Sequence, residues 1–463
     1  MLPESLPEVT GAFRAGEAAY VRLRRVVGSL PEVFGALRVG AAVPFRMGSG
    51  WGSGKKCRIL FFRCQYFMQV MNKQKTQPLR ICHVITRMIV GGAQENTLLT
   101  VRGLKERGHD TVLLTGPTEG PEGQLLETAQ FPGLEVVEEP MLTRELHPWK
   151  DLRAFFRLYK FFRQRKFDVV HTHSSKAGII GRLAARRAGC PLIVHTVHGQ
   201  AFHSYEKWWR NKIYIAAERF AAKYSDHIFA VAQAMIEQCV QAGVAPRAKY
   251  SVVYSGMDLE PYLQASPDAE LRQTLGIPPD APVVGKIARL FELKGHEDLI
   301  AAASDIVREI PDVRFLLVGD GKLRPKLEHE IDARGLKKHF IFAGLVPPGD
   351  IPRYISLMDV LVHLSLREGL PRTVVQALAG GKPAVAYNLD GTPEVIVHGT
   401  TGYLCAPQSI EAVRDYVTEL LKNPEKAREM GQNGRALVKD RFDWEKMVQQ
   451  LETAYFHMRQ AKK

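Results

Sequence analysis

From residue 79 onward, short apolar runs alternate with longer amphipathic stretches. The first set of runs is Ile81-Cys-His-Val-Ile-Thr86, Thr111-Val-Leu-Leu-Thr115, Asp168-Val-Val-His-Thr-His173, Leu192-Ile-Val-His-Thr196, His227-Ile-Phe-Ala-Val231 and Tyr250-Ser-Val-Val-Tyr254. Helical patterns such as 95–107 and 151–166 separate most of them. Continuous apolar runs between helices predict parallel strands covered on both faces. A break rich in Pro and acidic residues follows at 259–282, including Pro278-Pro-Asp-Ala-Pro282. A second set then begins: Val283-Val-Gly-Lys-Ile-Ala288, Val313-Arg-Phe-Leu-Leu-Val318, Phe340-Ile-Phe342, Val360-Leu-Val362 and Ala384-Val-Ala386. The pattern predicts an α/β chain of two Rossmann-like, doubly wound domains, 79–265 and 266–440, facing a cleft at the carboxyl ends of their sheets. Residues 441–463 predict a final amphipathic helix, able to return to the first domain.

Residues 1–78 do not follow this pattern. The first 70 contain no Asp, ten Lys plus Arg against four Glu, and the loop-like Met47-Gly-Ser-Gly-Trp-Gly-Ser-Gly54. Met71 opens a short polar leader into the first strand, so it reads as the true start, with residues 1–70 a mis-assigned extension. A basic targeting or membrane arm is the other reading.

A length of 463 residues exceeds one ordinary core, in keeping with two domains. The 63 Lys plus Arg outnumber the 49 Asp plus Glu, giving +14 and favouring anionic partners such as phosphorylated substrates or acidic membranes. No apolar run reaches spanning length, and no basic segment followed by an apolar core marks a secretory signal. The six cysteines lack Cys-x-x-Cys or staple-like spacing and read as reduced, buried thiols of a cytoplasmic protein.

The most informative segment is Glu368-Gly-Leu-Pro-Arg-Thr-Val-Val-Gln376. A carboxylate follows the apolar run 360–365, Gly369 and Pro371 turn the chain, and Thr373 to Leu378 predicts the opening of a helix. This joins an acid to unpaired N–H groups at a positive helix end, suited to phosphates and sugar hydroxyls. Arg289 ends the first strand of the second set, with Lys294 in the next loop; a bidentate Arg beside a point-charge Lys suits a diphosphate. Gly91-Gly92, between the first strand and a helix, allows close approach of a phosphate. Gly319-Asp-Gly321 reads as a plain strand-to-helix turn. His171, His173, His195 and His198 fall at strand ends. His-x-His on one strand face could serve zinc, but no Asp or Cys stands at ligand spacing, so no metal is expected. A hydrogen-bonding role at the cleft wall fits them better, His198-Gly199 best of all.

In this order, the Gly-Gly loop, His198-Gly199, Arg289 with Lys294, and the Glu368 segment resemble the retaining, nucleotide-sugar-dependent glycosyltransferases of family 4, which have the GT-B fold. The likeness covers roughly residues 79–460. His171-Thr-His-Ser-Ser-Lys-Ala-Gly178 is also similar to bacterial members that build surface polysaccharides. The resemblance implies a first domain on the acceptor side and a second binding the nucleotide sugar. Arg289 and Lys294 would hold the donor diphosphate, and Gly91 and Gly92 would lie near the distal phosphate. Glu368 and His198 would contact the transferred sugar, and the amides of Gly369, Leu370, Pro371 and Arg372 would bind sugar and phosphate oxygens. The family's second Glu, which bonds the ribose, is replaced by Gln376, a neutral group that still accepts and donates. The acceptor implied is a glycan or a lipid-linked sugar, with no cofactor and no metal. A GT-B nucleotide-sugar 2-epimerase is the enzymatic alternative, and a basic non-enzymatic binding protein the other. No nucleic-acid module is visible, and no complete dinucleotide fingerprint supports a dehydrogenase.

Contact with anionic membrane is expected as well. Leu152, Phe155, Phe156, Tyr159 and Phe162 form a stripe flanked by Arg153, Arg157, Lys160 and Arg163, and Lys207-Trp-Trp-Arg210 adds interfacial aromatics. Packing of those aromatics on the first sheet is the alternative.

Overall fold

A computed structural model describes residues 77–118, 125–128 and 133–462; the readings of residues 1–70 and of Met71 fall outside them. Two parallel sheets belong to one unit, Gln77–Lys463. The first has seven strands: β1 (Arg80–Ile85), β2 (Asp110–Thr115), β3 (Glu135–Glu138), β4 (Val169–His173), β5 (Leu192–Val197), β6 (His227–Ala230) and β7 (Tyr250–Val252). Their order is β3-β2-β1-β4-β5-β6-β7. The second has β8 (Val283–Ile287), β9 (Arg314–Val318), β10 (Phe340–Gly344), β11 (Val360–His363), β12 (Ala384–Tyr387) and β13 (Gly402–Cys405), ordered β10-β9-β8-β11-β12-β13. Each order reverses beside its first strand, between β1 and β4 and between β8 and β11. Such reversals open the crevices in which doubly wound sheets bind ligands.

The apolar runs locate eleven of these strands. The two they miss, β3 and β13, are the outermost strands of their sheets. An edge strand needs little apolar sequence: β3 is Glu-Val-Val-Glu, with both glutamates exposed.

Alternation along β1 sends Cys82 and Val84 to one core and Ile81 to the other. The first face is covered by α1 (Pro148–Arg165) and α2 (Ser175–Ala188), with Leu158, Phe162, Ala184 and Ala185 buried against Val112 and Val170. The second is closed by the end of the chain. Met257 N–H donates to the Phe442 carbonyl at 2.9 Å as the chain crosses back. The Asp443 carboxylate then accepts from Lys446 N–H at 2.9 Å, capping α3 (Trp444–Gln460). Met447, Val448, Leu451 and Tyr455 of α3 complete the core around Ile81, Leu104 and Phe229. Gly103 permits this packing, since a Cβ there would lie 2.8 Å from Val448 Cγ2.

Cys82, Cys190, Cys239 and Cys405 are unpaired and buried. Among the described residues, no helix is long and apolar enough to cross a membrane.

Candidate functional site

On the second domain, β8 and β11 end side by side at the switch point. The loop after β8 carries Arg289 and Lys294 and passes close to the other strand: a Cβ on Gly295, where φ is +65°, would strike the Leu364 carbonyl. This brings Lys294 Nζ within 2.5 Å of Glu368 Oε1. His363, the last residue of β11, places Nε2 3.5 Å from the same oxygen while its Nδ1 lies 3.2 Å from Thr373 Oγ1. The Glu368 N–H donates to Asp390 Oδ2 at 2.8 Å. Burial alone would raise the carboxyl's pKa, but the Lys294 ammonium and the His363 ring outweigh it and hold Glu368 well below the usual carboxylate range. Lys286, buried within β8, is pushed down to about 7, first by burial and then by Lys294.

Two cavities meet at Arg289 and Phe291, which line both. One, of about 710 Å³, is bounded by Gly91, Gly92, Glu95, Tyr262, Gly319, Gly321, Leu345, Val346, Arg372 and Gln376. The other, of about 720 Å³, is bounded by His198, Gln200, His203, Tyr205, Arg289, Lys294, Arg367, Glu368, Gly369 and Asp390. Expected residues from both domains are thus brought to two adjoining lobes of one cleft. The Arg289 guanidinium stacks over the Phe291 ring, 5.1 Å from its centroid.

Contacts across the cleft are close. A Cβ on Gly369 would lie 2.4 Å from the His198 carbonyl, so a glycine is required where the Glu368 turn meets the first domain. Gln238 Nε2 donates to Asp390 Oδ1 at 2.8 Å. Glu394 accepts from the Gln233 and Ala234 N–H groups at 2.8 and 3.0 Å, at the positive end of a helix of the first domain, α4 (Gln233–Gln241). Arg372, which opens α5 (Arg372–Ala379), ion-pairs with Glu95 at 2.6 Å and donates to Ser255 Oγ at 3.0 Å. Glu95 lies in the first turn of α6 (Gly92–Glu106), whose N-cap is Gly91, so Arg372 Cδ stands over Gly92.

The histidines behave differently from their expected place on the cleft wall. His171 and His195 lie inside strands and are buried; His171 contacts Tyr455 Oη at 2.5 Å and Thr196 Oγ1 at 2.7 Å, and His195 contacts Thr172 Oγ1 at 2.9 Å. Only His198 lines the large cleft among these four. Its Nε2 is 2.9 Å from His173 Nδ1, and His173 Nε2 is 3.0 Å from His83 Nδ1. Burial pushes His83 and His198 down to about 3, so both are neutral, and lowers His173 strongly as well. His83, His171 and His173 bring one nitrogen each within 4.8 Å of one another, a spacing a metal could use. Every nitrogen of His171 and His173 is already hydrogen-bonded, however, and His83 and His173 stack at 17° instead of converging on a point.

Two expectations need correction. Pro371 has no N–H and cannot donate, leaving Gly369, Leu370 and Arg372 as possible amide donors of that turn. Gly319-Asp-Gly321 is the strand-to-helix turn expected after β9 but not only that, since it also lines the first cavity; its glycines have φ of +131° and +158°, and a Cβ on Gly319 would hit the Ala288 carbonyl. Residues not singled out in the sequence are His363, Asp390, Glu95 and Tyr262, which lines the same lobe as Gln376. His363 was legible in principle as the end of its strand; the others act only through long-range approach.

The aromatic stripe is divided. Phe162 is buried and Phe155 and Tyr159 pack beside it, whereas Leu152 and Phe156 face outward together with Trp149, 72% exposed. Helix α7 (Trp208–Ala222) exposes Trp208 (70%), Trp209 and Ile213, and Lys212 and Arg210 stack on the two tryptophans. α2 packs against both α1 and α7.

The family described as glycosyl transferases group 1 matches residues 267–437, and that described as glycosyltransferase family 4 matches residues 90–261. The UDP-Gal:alpha-D-GlcNAc-diphosphoundecaprenol alpha-1,3-galactosyltransferase of Escherichia coli is 30% identical over 392 residues, covering 83% of this chain and 99% of its own. The N-acetyl-alpha-D-glucosaminyl L-malate synthase of Bacillus anthracis is 27% identical, covering 76% and 90%. Among solved structures, Anabaena HepE in complex with UDP superposes with a TM-score of 0.69 at 23% identity, covering 81% and 99%.

Proposed function

From the premise that the chain belongs to glycosyltransferase family 4, and is a GT-B glycosyltransferase with a nucleotide-sugar donor, we propose that it transfers the sugar with retention, without a metal, to a lipid-linked acceptor. The observation that carries this reading is the Lys294–Glu368–His363 group set against His198 across the Gly369 contact. The nucleotide lies in the lobe of Gln376, Tyr262 and Val346, and the sugar in the lobe of Glu368 and His198. Arg289, at the junction, spans the diphosphate between them. On donor binding Lys294 is shared between Glu368 and a phosphate oxygen.

The acceptor hydroxyl attacks the anomeric carbon from the side the diphosphate leaves. The bond from that carbon to phosphate oxygen breaks, its electron pair goes to the diphosphate, and the hydroxyl proton follows to the departing oxygen. Arg289, Lys294 and the amides of Gly369 and Leu370 stabilise the charge that develops on the leaving group.

A lipid-linked acceptor is supported by where the exposed aromatics begin. Tyr205 lines the sugar lobe and is exposed, and Trp208 and Trp209 follow it at the start of α7. In a parallel sheet the crossover helices start at the carboxyl edge, so the first turns of α1 and α7 share the cleft side of the domain. Trp and stacked cations there fit a peripheral seat on an anionic bilayer, each basic residue contributing ~1 kcal/mol near the surface. The name of the Escherichia coli relative, which gives an alpha-D-GlcNAc-diphosphoundecaprenol beside UDP-Gal, agrees in kind.

The test is a panel of nucleotide sugars with and without lipid diphosphate-linked sugars, reading released nucleoside diphosphate and the anomer of the product. Transfer requiring the lipid-linked acceptor is expected. Conversion of the nucleotide sugar to its 2-epimer without any acceptor would favour the epimerase reading, and an inverted anomer would overturn retention. Flotation with anionic vesicles at low salt tests the membrane seat; protein left at the bottom of the gradient would favour a soluble acceptor.

A further inference from the structure

Three imidazoles run in series from the cleft into the first sheet: His198, then His173, then His83. Each neutral ring has one N–H and one bare nitrogen, so the two bonds can be polarised only as a pair, both inward or both outward. The end of the series decides which. His83 Nε2 is buried and has no hydrogen-bond partner. His171, the nearest ring, has both nitrogens engaged by Tyr455 and Thr196 and offers it nothing. If the bonds pointed inward, His83 Nε2 would carry an orphaned N–H, the arrangement folded proteins avoid most strongly. If they point outward, His83 Nε2 is a bare lone pair and the N–H groups of His83 and His173 are both used.

We propose that His83 and His173 are positioning residues that fix His198 as a hydrogen-bond donor. His83 Nδ1–H donates to His173 Nε2, and His173 Nδ1–H donates to His198 Nε2. His198 is left with its proton on Nδ1, the nitrogen not spoken for by the sheet. It therefore meets a sugar hydroxyl as a donor and does not serve as a general base. This rests on the assignment of His198 to the sugar lobe, but the tautomer itself does not depend on that assignment.

A neutron structure of the full chain reads the protons directly. The expected result is deuterium on Nδ1 and none on Nε2 of His83, His173 and His198. Deuterium on His198 Nε2, a doubly protonated ring, or an ion bound between the rings would overturn the proposal. Kinetics supply a second reading. His173→Leu should lower kcat several-fold, up to the loss caused by His198→Ala, and His173→Gln, which retains a donor, should recover part of it. In a His198→Ala background, His173→Leu should cost nothing further; an additional loss would mark a merely structural role and count against the proposal. If His198→Ala itself leaves transfer unchanged while the deuterium lies on Nδ1, the tautomer assignment stands and the sugar-lobe assignment falls.

Discussion

The two halves of the cleft face each other with opposite chemistries. On the second domain the carboxyl edge is ionic: Arg289, Lys294 and Glu368, with Lys286 buried behind them in β8. In the sugar lobe the first domain answers with neutral groups: histidines that burial keeps unprotonated and that bond to one another and to hydroxyls. Both are polar, yet they solve different problems. Charge placed opposite a leaving diphosphate changes the energy of the bond being broken, whereas a neutral donor held just past a strand end orients a hydroxyl without adding charge. Division of labour between the domains follows, and each prediction below probes one side of it.

The largest effect is expected from Glu368→Ala. It removes the acid and leaves Lys294 without its partner, so kcat should fall by on the order of 10²–10³. Near-normal turnover of the folded variant would erase the distinction between the halves. Next comes a stability effect on the ionic side. Lys286 titrates near 7 in the folded state against an ordinary value of 10.5. The unfolded chain therefore binds more protons between those values, and stability rises with pH across that window, with the full penalty present below it. Lys286→Met should stabilise the protein at pH 7 by a few kcal/mol, the gain shrinking toward pH 10; thermal melts across that range would show a constant gain if the charge were not the cause.

Arg289→Ala and Lys294→Ala should each lose about 1.5–3 kcal/mol of transition-state binding, seen in kcat/KM for the donor. On the neutral side, His198→Ala should lose only about 0.5–1.5 kcal/mol. A His198 effect exceeding that of Arg289 would reverse the comparison. Gln376→Glu should change least, remaining within an order of magnitude of wild type, because a carboxylate of nearly the same shape keeps the acceptor oxygen that the amide offers to this lobe. An inactive, folded variant would show a ribose pocket rebuilt around the amide.

What could be read in the sequence divides along the same line. Arg289, Lys294 and Glu368 stand at or just beyond the ends of apolar runs, where a parallel sheet presents its ligand groups, so their place was legible. The histidines were legible as a type but not in their connections, because alternation along β4 tells which face a ring takes and not which ring it meets. Asp390 and Glu95 were hidden for another reason. Asp390 sits at φ +52° in a turn that carries it to the Glu368 amide, and Glu95 is an ordinary first-turn acid until Arg372 crosses to it. Such pairs are separated by long stretches of chain and leave no local pattern. The edge strands β3 and β13 escaped because they need so little apolar sequence.

The return of α3 to the first sheet also sets a timetable for synthesis. The strands that open the fold are translated early, but the part of one sheet face beside α6 stays uncovered until Met447, Val448, Leu451 and Tyr455 have left the ribosome. The second domain can fold as a unit in the meantime, while the first waits with Ile81, Leu104 and Phe229 exposed. A nascent chain stalled or cleaved before residue 444 would thus hold a complete nucleotide lobe wall on its second domain and an open apolar patch on the sheet of its first, a form suited to chaperone capture and degradation.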